Sequence, residues 1–162
     1  MPLSAQVLLS MVAHESSSGD LSRQMRVTPA TYAVAFSDGT GANQAQVAFS
    51  ASATVQDNGD EAYAFSGFAD DRGTIAMTAL KAVYFKNTGT VELELGRAGD
   101  WFSGPFAAER GVLVPPGGAV ALVAPGAAGW STAGATAGIA VFNATETAGS
   151  YEIVLIGEGT IS

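Results

Sequence analysis

Thr78–Gly96, TALKAVYFKNTGTVELELG, is the stretch whose reading decides the fold. Its first half, Leu80–Phe85, is apolar at almost every position and carries Val, Tyr and Phe, the composition of a strand covered on both faces. Its second half alternates. Val91, Leu93 and Leu95 fall on one face and Thr90, Glu92 and Glu94 on the other, the period of a strand with one wet face. Asn87-Thr88-Gly89 lies between them. Asn and Gly both tolerate positive φ, so the sequence predicts an antiparallel hairpin joining the two strands. A doubly covered strand beside an amphipathic one is the seed of an all-β domain.

The chain on either side repeats the pattern. Before the seed, Thr31–Phe36, Ala45–Val55 and Tyr63–Phe68 read as strands, punctuated by Asp38-Gly39-Thr40-Gly41, Asp57-Asn58-Gly59-Asp60 and Ala69-Asp70-Asp71-Arg72-Gly73. After it come Val112–Val114, Ala119–Ala124, Gly138–Asn143 and Tyr151–Ile156. Pro115-Pro116-Gly117-Gly118 is a turn with a mechanism, since proline fixes φ and glycine supplies positive values. Arg97–Arg110, with Trp101, Phe102 and Phe106 among Gly and Pro, is the least regular part. No segment carries a 3.6-residue apolar stripe over three turns. About ten short strands at turn-signalled intervals predict an antiparallel β-sandwich. Eight or more strands with long crossings favour a jelly roll, with an immunoglobulin-like sandwich second.

The N-terminus divides from this domain. Residues 1–29 read as an arm, with a strand in Leu3–Ala13 and a Ser-rich loop over His14–Gln24; residues 30–162 read as one jelly-roll-like sandwich. Val7, Leu8, Leu9, Met11 and Val12 are too apolar to sit in water, and the polar loop behind them gives reach. The arm is therefore expected at a subunit or partner contact, against the plainer alternative of a first strand in the sandwich. Trp101, Phe102 and Trp130 are the other candidate protein-contact residues.

Composition narrows the function. Charged residues are 14% of the chain, against roughly 25% in ordinary domains. From Gly111 to Thr145 there is no charged side chain at all. Such a stretch reads either as buried strands with neutral loops or as a face packed on a neighbouring subunit, where few charges need desolvation. The net charge is −8, with only seven Lys and Arg. Nucleic acid and anionic membrane surfaces are thus not expected partners. The absence of cysteine excludes disulfides, thiolate catalysis and zinc-thiolate or iron–sulfur sites. The N-terminus has no basic start, and no apolar run approaches the roughly 18–20 residues of a membrane span, so a soluble protein is expected.

Catalytic constellations do not emerge. A serine triad needs a histidine base, and the one histidine, His14, lies beside the Ser-rich loop. No Gly-rich turn is followed by Lys-Ser or Lys-Thr, as a phosphate loop requires. Asp57, Asp60 and Glu61, or Asp70 and Asp71, are oxygen donors of the kind calcium takes, but without the EF-hand spacing, and Asx-Gly turns explain them equally well. Trp101 and Trp130 are residues that stack on sugars or anchor packing. Asn143-Ala144-Thr145 matches a glycosylation sequon. No catalytic, metal or cofactor residue is assigned, and an enzyme is not expected.

Several segments in order carry a resemblance: Ser37–Ala45 (SDGTGANQA) followed by Phe49, Leu80–Asn87 (LKAVYFKN), Val114–Gly118 (VPPGG), the Ala124-Pro125 to Gly129-Trp130 loop, and Tyr151–Gly157 (YEIVLIG). Over about residues 30 to 157 the chain resembles small jelly-roll structural proteins of tailed bacteriophage virions, the group that includes head decoration, or cement, proteins. The resemblance implies a non-enzymatic virion component at the capsid surface, assembled in the host cytoplasm. Its partners would be the major capsid protein or other virion proteins and further copies of itself, as a trimer or dimer. A carbohydrate-binding module of a tail or host-attachment protein is the alternative, resting on the two tryptophans and on a fold that lectins share.

Overall fold

The computed structural model describes residues 2–12, 14–16, 24–26, 30–98, 104–106, 111–133 and 137–162, and these form strands and turns without a helix. The first five strands are β1 (Ser4–Met11), β2 (His14–Ser16), β3 (Gln24–Arg26), β4 (Ala30–Asp38) and β5 (Gln44–Ala45). Then come β6 (Val47–Val55), β7 (Asp60–Ala64), β8 (Phe68–Asp70), β9 (Gly73–Asn87) and β10 (Leu93–Ala98). The last are β11 (Val112–Val114), β12 (Ala119–Val123), β13 (Trp130–Ser131), β14 (Gly138–Phe142) and β15 (Gly149–Ile161).

Two antiparallel sheets make the sandwich. One runs β12-β9-β15-β6, with β8 and β13 also paired to β9, and the other runs β11-β10-β14-β7. Numbered one to eight along the chain, the eight principal strands read 6-3-8-1 and 5-4-7-2. That is the strand order of a jelly roll, as the sequence predicts.

The topology corrects the expected hairpin. One edge of β9 is taken by β15 and the other by β12, β13 and β8, so no edge remains for β10. β10 instead joins the opposite sheet between β11 and β14. Neither Asn87 nor Gly89 takes a positive φ. The buried Asn87 amide organises the crossing: its Nδ2 donates to the Val91 and Val114 carbonyls at 2.7 and 2.8 Å, and its Oδ1 accepts from Gly89 N at 3.0 Å. Thr88 N and Gly89 N both donate to Ser150 O at 3.0 Å. A Cβ on Gly89 would lie 2.8 Å from Ser150 N, so close approach, not turn geometry, requires glycine there. The crossing from β14 to β15 is built the same way. Asn143, also buried, donates to the Gln56 and Thr147 carbonyls and accepts from Thr145. The sequon asparagine is therefore committed to its own loop and to the turn after β6.

Other expectations shift by smaller amounts. The strand expected over Tyr63–Phe68 ends at Ala64, and Phe68 begins β8, which turns back tightly through Asp71 and Arg72 into β9. The proline turn forms as expected: Gly117 has φ 74° and Gly118 N donates to Pro115 O at 2.9 Å. It carries the chain from β11 in one sheet to β12 in the other.

Between the sheets, alternate residues meet in one core that includes Phe49, Val83, Phe85, Leu93, Leu95, Ile139, Val141, Ile153 and Leu155. Tyr63 from one sheet and Tyr151 from the other share a buried hydroxyl hydrogen bond of 2.9 Å, with Phe49 and Phe85 packed against the pair. Burial is the main cause that pushes both phenols above their ordinary pKa. One polar residue sits inside the apolar run of β9. Lys81 is fully buried; its Nζ donates to Gly126 O at 2.6 Å and Ala127 O at 2.5 Å, and lies 2.9 Å from Glu158 Oε1 in an ion pair off the hydrogen-bonding direction. Lys81 thereby fastens the loop after β12 to the sheet.

Candidate interaction surface

β9 and β15 are covered on their second face as well, and what covers them is the N-terminal region. β1 pairs with β4 over its whole length, from Ser4 opposite Ser37 to Met11 opposite Ala30. β2 and β3, which lie between them in the chain, pair with each other, with His14 opposite Arg26. The segment expected as a loop over His14–Gln24 thus has paired strand at both ends, because the outgoing and returning chain satisfy each other's backbone groups; residues 17–23 lie outside the described residues. β1 and β4, the outgoing and returning strands, form a two-stranded ribbon.

Alternation gives the ribbon two faces. Leu3, Ala5 and Val7 of the outgoing chain and Val34 and Phe36 of the returning one point at the outer side of the β9 sheet. There they pack with Ala48, Ala82, Val123, Val154 and Ile156. The same face continues through Leu9 and Met11, opposite Tyr32 and Ala30, but the sheet no longer lies beneath it. Leu9 is 40% exposed, Met11 71% and Tyr32 41%. On the other face Leu8 stands out at 64%. The N-terminal strand is therefore neither a free arm nor a fully covered first strand: the inward side chains of its first half pack on its own sheet, while those of its second half, though paired with β4 through the backbone, stay exposed.

Two further properties make this a candidate interaction surface. First, no charged residue occurs in 2–12 or 30–37 of a chain that carries −8 overall. Covering it removes no charge from water. Second, among the described residues β1 pairs only with β4, so its other edge is open. Such edges are normally blunted by lysine, proline or a bulge, and β1 has none of these. Beside that edge lies an apolar groove of about 280 Å³, walled by Val7 and Leu9 and floored by Ala82, Tyr84, Ala121 and Val123.

Of the residues singled out in the sequence, Val7, Leu8, Leu9 and Met11 come together on the ribbon. Trp130 does not join them. It is half-buried on β13, paired opposite Leu80 and packed into the sandwich core, as a packing anchor is. Trp101 and Phe102 lie outside the described residues. The uncharged stretch supplies β11 to β14, with Ile139 and Val141 in the core, while Ala121 and Val123 floor the groove. The sequence reading missed Tyr32 and Tyr84. Both sit in apolar strands where only the position of the ribbon decides what stays exposed. Asp70 is occupied by Arg72, which donates to it and holds its carboxyl below the usual range. Among the described residues no three His, Asp or Glu side chains converge as metal ligands.

The fold and this surface define a jelly-roll protein bearing an uncharged apolar β-ribbon. No protein-family model matches the chain, and no curated protein does. Among solved structures, the crystal structure of PirA is similar at 18% identity, covering 65% of this chain and 92% of that one with a TM-score of 0.41, a likeness too distant to transfer a role.

Proposed function

We propose that the chain is a non-enzymatic structural protein of a tailed-bacteriophage virion, a capsid decoration protein that binds and bridges major capsid protein subunits at the head surface. The observation that carries the reading is the ribbon, whose apolar stripe runs on past its own core with an open strand edge and no charge. The resemblance of residues 30 to 157 to small virion jelly rolls supplies the setting. A decoration protein needs repeated contact area and no chemistry. Contacts made at many equivalent sites gain through effective concentration, so each can be weak. Binding only to the assembled shell stabilises that shell by mass action.

Expanded heads lacking the protein test this directly. Purified protein at micromolar concentration is expected to co-sediment with them to saturation and to raise the temperature at which they rupture. Heads that sediment bare at that concentration remove the capsid role.

A further inference from the structure

We propose that the open edge of β1 is closed by the β1 of a second copy, paired antiparallel about a two-fold axis through Leu8. This rests on reading the ribbon as an assembly surface and names what that surface meets. The two sheets then join into one whose centre is ordered β4-β1-β1-β4.

An antiparallel strand edge is complementary to itself, because a two-fold axis places the same residues and the same backbone groups on both sides. The axis at Leu8 follows from the side chains. Directly opposed residues share a face, so this register sets Val7 against the partner copy's Leu9 and Ala5 against its Met11. Gln6 falls against Ser10, Ser4 against Val12, and Leu8 against itself. On the inward face every apolar residue thus opposes an apolar one. Leu8, the exposed large apolar residue on the outward face of β1, is covered at the centre.

The groove explains where the uncovered half of the stripe goes. Its wall is built by β1 and not by β4, so it opens on the free edge. In the two-fold arrangement, Leu9 and Met11 of one copy lie beside Val7 and Ala5 of the other, above Tyr84, Ala121 and Val123. A cavity of about 150 Å³ already holds a benzene-sized group, so a groove of about 280 Å³ admits side chains of this kind. Each copy's exposed half is then seated on the other's sheet, just as its buried half is seated on its own.

Charge selects the same surface. Two chains of −8 repel, and they approach at least cost where neither carries charge. The ribbon and the groove floor satisfy that condition on both copies.

The chain has no cysteine, so Leu8→Cys introduces its only thiol at the proposed axis. Wild type at micromolar concentration is expected to sediment with the mass of two chains. L8C is expected to oxidise to a covalent dimer at least tenfold faster than Ser52→Cys, which places a thiol at another exposed strand position. Leu8→Lys sets two like charges against each other and should weaken association at least tenfold, with circular dichroism unchanged. A wild-type mass of one chain, equal oxidation of L8C and S52C, or L8K that associates like wild type each overturns the proposal. Binding of wild type and L8K to undecorated heads separates the two readings. A monomer that still binds heads sinks the dimer alone, and a dimer that ignores them sinks the capsid role alone.

Discussion

Strands β1 and β9 are built from the same kinds of residue and end in opposite conditions. In β9 the run from Ala79 to Val83 and Phe85 is buried, because the second sheet covers one face and the ribbon the other. In β1 the apolar stripe Ala5, Val7, Leu9 and Met11 is covered for only half its length. The residues cannot account for the difference. Position does: β9 lies inside its sheet between two layers, while β1 lies at the rim of a third layer that overhangs the sandwich. An apolar strand in a sequence therefore says that something covers it, and leaves open whether the cover comes from the same chain.

The largest test of that contrast is a pair of truncations made in the L8K background, where association does not enter. Phe85→Ala empties a fully buried site between the sheets and should cost about 3–5 kcal/mol in urea unfolding. Met11→Ala removes a side chain that is already in water and should change stability by less than about 0.5 kcal/mol. Comparable losses in the two would break the distinction between body and overhang.

A smaller effect sharpens how the body is closed. Asn87→Ala leaves the Val91 and Val114 carbonyls without their donor at the crossing from β9 to β10, and should cost about 2 kcal/mol. That loop is not among the described residues on which the ribbon packs, so association of the otherwise wild-type chain should be unchanged. An Asn87→Ala variant as stable as wild type would mean that the crossing is held by its backbone bonds to Gly117, Gly118 and Ser150.

How much of this was legible follows from what each signal encodes. Leu80–Phe85 announced a doubly covered strand because both faces need apolar residues, and it is covered on both faces except at Tyr84, which stays exposed. Val112–Val114 and the turn at Pro115–Gly118 were legible because proline and glycine act locally. The partner of Val91–Leu95 was not, since alternation fixes which face is buried and is silent on which sheet the strand enters. The cue was Asn87 itself. An asparagine that ends an apolar strand and is buried must spend its amide on backbone, and Asn143 repeats the arrangement. Lys81 was hidden because a lone lysine in an apolar run gives no hint of the carbonyls of Gly126 and Ala127 that receive it. For the ribbon, the strand at Leu3–Ala13 was readable, but the point where its cover stops depends on how far β1 overruns the sheet, which no local pattern records.

The smallest expected effect concerns the Tyr63–Tyr151 hydroxyl pair, which spans the two sheets. Tyr63 and Tyr151 are both neutral in the fold, and burial, the first cause for each, raises both above the ordinary phenol value of 10.0. On unfolding they return to that value. Below it the two states bind the same protons and the pair's contribution is pH-independent. Above it the unfolded phenols ionise while the folded ones resist, so the unfolded state binds fewer protons and stability falls as pH rises. The slope is at most about 1.4 kcal/mol per pH unit for each tyrosine. Tyr151→Phe should cost about 1 kcal/mol at neutral pH, from the lost hydrogen bond and the unpartnered Tyr63 hydroxyl. It should also make the alkaline fall shallower, because one of the two titrating groups is gone. Urea midpoints followed from neutral pH to beyond pH 10 read both numbers from one series. A variant whose stability falls as steeply as wild type would show that the alkaline loss arises outside the sandwich, and that the seam between the sheets is not where the body is most sensitive to base.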